Sequence, residues 1–306
     1  MASSTSLTRR LANVAGLLRG FPYFLHTLFL FTKSDFKTTI IPTSSLGIAS
    51  APVASIYRVP HVLFWTWLHT LQFCLSNQTV DPEEDALNKS DRPLPARRIT
   101  LYQAKVFRWL IIPICWRISA LYSVETFYAS VANIALTILY NELSAHKGHW
   151  IVRNVVNGLG FASFEVGATL IAGSDPTRMD DIAICSVLAS FGIFATTIHT
   201  QDFKDVEGDR AVGRRTIPIV LGEAAKYTVL LPLFLWSAGL SLFWGLDLIT
   251  ATIFTVLGIH VGLQYLWGKT VYEYQVAFYW YNLWLCCAHI LPAYCRLYSA
   301  PYYRRV

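Results

Sequence analysis

Charge is scarce in this chain of 306 residues. Asp, Glu, Lys and Arg make up only 14% of it, against roughly 25% in soluble domains. That shortage, with 54% hydrophobic residues and a mean hydropathy of +0.41, excludes an ordinary soluble domain. Paired cysteines are also missing. The six are Cys74, Cys115, Cys185, Cys286, Cys287 and Cys295, and none forms a C-x-x-C pair. A zinc site and a disulfide framework are therefore not expected, and the thiols read as small buried hydrophobes. No dense basic run exists either. The Lys and Arg residues behind the net charge of +6 are dispersed, which argues against a nucleic-acid partner. No low-complexity tract occurs.

Long hydrophobic stretches are abundant. A helix crosses the bilayer core with about 20 apolar residues, and nine stretches qualify: 38–57, 59–76, 101–119, 121–140, 151–173, 180–199, 224–245, 248–267 and 274–297. The expectation is an all-α integral membrane protein of about nine transmembrane helices. Residues 1–37 are expected to form an amphipathic segment lying on the membrane, because Arg9, Arg10 and Arg19 interrupt its apolar residues, with a first half-span over 6–32 as the competing reading. For the same reason it does not read as a cleaved signal peptide. Residues 38–297 form the membrane domain and 298–306 a basic tail. Counting spans from the N-terminus, Lys33, Lys37, Lys89, Arg92, Arg97, Arg98, Lys147, Lys204, Arg210, Arg214 and Arg215 fall on one side. The opposite loops carry little beyond Arg58, Arg117 and Arg178. The positive-inside rule makes the rich side cytoplasmic, with the endoplasmic reticulum as the candidate organelle.

Only 19 residues are acidic, and they cluster. Asn77, Asp81 and Asp85 are four apart at the end of the second span, and Asp202, Asp205 and Asp209 are three and four apart after the sixth. On a helix such spacing stacks the side chains on one face. Pro82 disfavours helical geometry at Asp81 and predicts a kink before Asp85. Both clusters belong to the basic side, so they can share one mouth. Facing carboxylates suit Mg²⁺, which is usually held jointly by a few carboxylates and a substrate phosphate. Lys147, Arg210 and Arg214 are placed to neutralise a diphosphate, though each also fits as a topology charge. Between the clusters, Pro93 and Pro95 hold the chain out of helix, and Thr100 is expected to cap the next span.

The run Asn77-Gln78-x-x-Asp81-x-x-x-Asp85, followed by Arg92-Pro93-Leu94-Pro95, resembles the first signature of the UbiA superfamily of intramembrane prenyltransferases. Asp202-x-x-Asp205-x-x-x-Asp209, followed by Gly213-x-x-Thr216-Ile217-Pro218, resembles the second. The resemblance implies a helical barrel around a central cavity. It further implies that Asn77, Asp81, Asp85, Asp202, Asp205 and Asp209 hold Mg²⁺ and a prenyl diphosphate whose allylic C–O bond ionises. Lys147 and Arg210 are expected to assist departure of the diphosphate, and Asn157 matches a family asparagine. Gln78 and the Asp81-Pro82-Glu83-Glu84-Asp85 form resemble the fungal branch that includes membrane terpene cyclases. The expected activity is thus cyclisation of farnesyl or geranylgeranyl diphosphate to a hydrocarbon. Transfer of the prenyl group to an aromatic or quinone-precursor acceptor is the alternative. Aromatics of span two (Phe64, Trp65, Trp67, Phe73) and span nine (Phe278, Tyr279, Trp280, Tyr281, Trp284) either steer the cation through their π faces or face lipid. Glu165, an acid in mid-span, is either a base or a polar anchor between helices.

Overall fold

A computed structural model describes residues 20–80, 82, 85 and 89–299. Every long element among them is a helix. Residues 20–32 (α1) run through the 3₁₀ turn Lys33–Asp35 and the π turn Phe36–Ile40 into α2 (Ile41–Ser50). Then come α3 (Arg58–Val80), α4 (Leu101–Ala120), α5 (Val124–Asn141), α6 (Trp150–Ala172) and α7 (Asp181–Thr197). The chain continues through the 3₁₀ segment Ile198–Lys204 into the short α8 (Val206–Ala211) and α9 (Ile217–Leu221), and ends with α10 (Tyr227–Phe243), α11 (Leu248–Trp267) and α12 (Val271–Tyr294). Eight of the nine expected spans coincide with a long helix, and the first, 38–57, overlaps only the ten residues of α2, which α1 precedes. The first differs most: α2 stops at Ser50, where Ala51 turns extended.

Hydropathy and length alone single out four segments able to cross a membrane, Trp150–Ala172, Asp181–Lys204, Ile217–Phe243 and Leu248–Trp267. The other long helices score lower because they carry more polar side chains, and in α3 most of these point inward. In α3, His69, Gln72, Ser76 and Gln78 are almost fully buried, while Leu63 and Phe64 are exposed. Polar groups toward a bundle interior and apolar ones outward is the arrangement a bilayer imposes.

The helices close into a ring. α3 packs on α4, α4 on α5, α5 on α6, α6 on α7, α7 on α10, α10 on α11 and α11 on α12. α12 then meets α2, which also touches α3 and α6. Buried hydrogen bonds pin these seams. Trp65 Nε1 donates to Ser119 Oγ (2.8 Å) between α3 and α4, and Trp284 Nε1 to Ser237 Oγ (2.8 Å) between α12 and α10. Close approach of α3 to α6 depends on Gly167, where an added Cβ would sit 2.2 Å from the Trp65 indole. Residues 89–100 form turns as the prolines require. Thr100 starts α4 in a reciprocal capping box with Gln103.

The described half of the expected surface segment, α1, buries Leu28, Phe31 and Thr32 and exposes Phe21, Phe24, Leu25 and Phe29. Among the described residues no disulfide links the six cysteines, three of them buried and three half-buried.

Candidate active site

The ends of α3, α5, α6 and α7 on one face of the ring surround a cavity with about 1260 Å³ of space between its atoms, open mouth included. Asn77 and Asp85 from the first acidic cluster, and Asp202, Asp205 and Asp209 from the second, all line it. Asp81 and the expected kink beside it lie outside the described residues. The second cluster is stacked by two kinds of turn rather than one helix. The Asp205 amide donates to Asp202 O (3.1 Å) in 3₁₀ geometry, and the Asp209 amide to Asp205 O (2.8 Å) in α geometry.

Each of the three buried carboxylates faces an arginine. Asp85 pairs with Arg92 (2.5 Å) and Asp209 with Arg214 (3.1 Å). Asp202 receives both terminal nitrogens of Arg153, at 2.5 and 2.7 Å. Local backbone explains two of these contacts. Arg92 follows Asp85 through a turn in which the Lys89 amide donates to Asp85 O (2.9 Å) and the Arg92 amide to Lys89 O (3.1 Å). Arg214 is swung back by a Schellman ending of α8: Gly213 takes φ +74°, and the Arg214 amide bonds to Asp209 O (2.9 Å). Only glycine adopts that φ without strain.

The cations on the cavity wall are therefore Lys89, Arg92, Arg153 and Arg214. Lys147 and Arg210, expected to assist departure of the diphosphate, lie elsewhere. Both side chains are exposed and neither lines the cavity. Ser144 takes a left-handed conformation (φ 59°) that turns His146 inward and Lys147 outward. Arg210 directly follows the inward-facing Asp209, about 100° around the helix. Asn157 does line the wall, and its amide donates to Arg153 O (3.0 Å). Arg153 is the cavity residue that sequence reasoning missed, although a guanidinium inside a stretch read as membrane-spanning is a signal in itself.

Among the described residues no three His, Cys, Asp or Glu side chains converge into a ready-made metal cage. Mg²⁺ seldom uses one, relying on one or two carboxylates plus substrate phosphates. The residues present fit that pattern, because Asp85 Oδ2 and Asp209 Oδ2 are buried with no hydrogen-bond partner. Such orphaned oxygens are costly unless a ligand engages them. Burial, and then the charge of Asp202, push the Asp209 carboxyl up to about 6, against the opposing pull of Arg214 and Arg153. A divalent cation would relieve that crowding.

Deeper, the wall turns aromatic. Phe161 lies eight residues beyond Arg153 on α6, about 12 Å further in at 1.5 Å per residue. It stacks on Phe194 with ring centres 3.8 Å apart. Phe73, Phe278 and Tyr281 also line the cavity. Of the other aromatics expected to steer a cation, Trp65 and Trp284 pack in the protein core, while Phe64, Tyr279 and Trp280 are exposed on the outside. Trp67 is partly buried against the α3–α4 core. Glu165 is fully buried off the cavity wall. It accepts from Ser190 Oγ (2.7 Å) on α7, beside His289 of α12, which contacts Pro42 O (3.0 Å) on α2. This placement matches a polar anchor between helices.

Residues 39–294 match the UbiA prenyltransferase family. The chain is 31% identical over 277 residues to the fumagillin beta-trans-bergamotene synthase af520 of Aspergillus fumigatus, covering 90% of this chain and 94% of that one. It is 29% identical over 283 residues to the diterpene cyclase eriG of Hericium erinaceus, covering 89% and 88%. Its fold is similar to that of a UbiA homolog from Archaeoglobus fulgidus bound to GPP and Mg²⁺, with a TM-score of 0.63 and 17% identity over 87% of this chain and 99% of that one.

Proposed function

Since this chain belongs to the UbiA prenyltransferase family, we propose that it is a membrane terpene cyclase that ionises farnesyl or geranylgeranyl diphosphate with Mg²⁺ and closes the cation on itself without an acceptor. The observation that carries this reading is the single cavity: acids and arginines at its mouth, stacked aromatics about 12 Å below. The similarity to two fungal proteins named for terpene formation supports the cyclase choice within the family.

Asn77, Asp81, Asp85, Asp202, Asp205 and Asp209 would hold the metal. Bound there, Mg²⁺ neutralises charge that develops on the leaving diphosphate. Lys89, Arg92, Arg153 and Arg214 are the residues that would receive the diphosphate oxygens. Arginine's planar fork suits phosphate as well as carboxylate, so Arg92 and Arg214 can exchange one for the other without leaving the wall. The aromatic level excludes water and offers π faces to the cation, each desolvated contact contributing about 2 kcal/mol. The charge distribution supports a cytoplasmic orientation for the acid-lined mouth.

The test is incubation of membranes containing the protein with farnesyl or geranylgeranyl diphosphate and Mg²⁺, without acceptor. Extraction and gas chromatography should reveal a cyclic hydrocarbon. Product that forms only after a phenolic acceptor is added would make the protein a prenyltransferase instead.

A further inference from the structure

A second chamber opens off the main cavity between α3, α5 and α6. It has about 400 Å³ of space between its atoms and shares Thr39, Phe73, Tyr140, Asn157 and Phe161 with the cavity wall. Its other lining residues are apolar except Thr137 and the amide-bearing Asn133. That residue sits eight positions before Asn141 on α5, so it lies about 12 Å inside the mouth, level with Phe161.

Asn133 is 1% exposed, and its hydrogen bonds fix which way the amide points. Asn133 Nδ2 donates to Ser163 Oγ (3.0 Å), and Ser163 Oγ donates its own proton to Gly160 O (2.6 Å). A hydroxyl has one proton. Ser163, having used it, can only accept from Asn133, so the amide nitrogen must face Ser163. Nearby Thr137 donates to the Asn133 main-chain carbonyl (2.9 Å), so its proton is used as well. Asn133 Oδ1 is left buried without a partner. The unpaired carbonyl oxygen of this chamber-lining residue is the negative end of a fixed dipole. Preorganised dipoles of this kind stabilise charge that develops during a reaction.

The chamber presents no buried cation and no acid. A ligand that suits an unpaired acceptor oxygen and surrounding π faces is a hydrocarbon bearing delocalised positive charge. We propose that Asn133 is a further catalytic residue, whose Oδ1 faces the carbocation in the side chamber and sets where the charge rests during cyclisation, and so which product forms. Asn133 takes no proton and forms no bond in this role. The proposal rests on the cyclase reading.

Asn133→Leu and Ser163→Ala test it, the second because loss of the serine acceptor frees the amide to rotate. Each is incubated with farnesyl and geranylgeranyl diphosphate plus Mg²⁺, recording diphosphate release and product ratio together. Asn133→Leu should lower the share of the main product per diphosphate released by about 10-fold or more. Ser163→Ala should shift the ratio in the same direction. It decides the matter alone if Asn133→Leu does not fold. Unchanged product ratios in the folded variants would overturn the role of Asn133 and leave the cyclase reading standing. Absence of any acceptor-free product from the wild type would overturn both.

Discussion

Arg153→Met is the substitution whose effect the structure defines most sharply. It keeps most of the side-chain stem and removes the guanidinium that grips both oxygens of Asp202 at 2.5 and 2.7 Å. Both side chains are under a tenth exposed (7% and 3%), so solvent cannot replace the lost partner. Unit charges roughly 4 Å apart attract by about 4 kcal/mol at an effective dielectric of 20. Deleting one side of a buried pair costs about 3–5 kcal/mol, because the other charge is stranded. The two estimates agree near 4 kcal/mol, a fall in melting temperature of roughly 10 °C for a chain of this size. Thermal unfolding in detergent, followed by tryptophan fluorescence in the metal-free protein, reads it directly. Arg153→Met/Asp202→Asn, with no stranded charge, should recover most of the loss. Mg²⁺ should stabilise the single variant more than wild type, since it supplies the missing positive charge. A single variant melting within about 1 °C of wild type, or a double variant no better than the single, would refute the argument.

Two further outcomes follow from the same geometry. Gly167→Ala should destabilise by about 1–3 kcal/mol, seen as a lower melting temperature. Its Cβ would meet the Trp65 indole at 2.2 Å, and that ring is held by Ser119 on one side and stacked on His69 on the other. Gly160→Ala meets no atom within 4 Å and should lack this penalty. Metal binding should also release protons. With Asp209 raised to about 6, its carboxyl is half protonated at that pH and fully ionised near pH 8, while a bound cation requires the carboxylate. Titration calorimetry in buffers of different ionisation enthalpy should detect about half a proton released at pH 6 and almost none at pH 8. The release should vanish in Asp209→Asn. Equal values at both pH values would remove Asp209 from the metal site.

Much of this arrangement was legible in the residues. The two acidic clusters, their shared side of the membrane and the Thr100 cap are local or periodic signals, and helices transmit such signals faithfully. Which cation faces inward was not legible, because turns decide it. Lys147 and Arg153 are six residues apart, yet the left-handed turn at Ser144 sends Lys147 out, while the first turn of α6 sends Arg153 onto Asp202. Likewise Arg210 and Arg214 differ by one helical turn, and a glycine reversal at Gly213 selects the second. The aromatics show the same limit. Trp284 adjoins the cavity-lining Leu285, yet it and Trp65 anchor helix seams through their indole N–H groups. Asn133 is invisible in sequence because an asparagine with both ends satisfied and one with an open oxygen look alike.

The central claim is that both acidic walls hold Mg²⁺ together with one diphosphate. Its most direct test is to titrate Mn²⁺, as a spectroscopic stand-in for Mg²⁺, into the protein loaded with a non-ionising farnesyl thiodiphosphate, and to follow bound metal by electron paramagnetic resonance. Saturable binding that depends on the diphosphate analogue, and that drops by about 10²-fold in affinity in either Asp85→Asn or Asp209→Asn, is the predicted result. Metal binding that survives loss of one wall unchanged would contradict it.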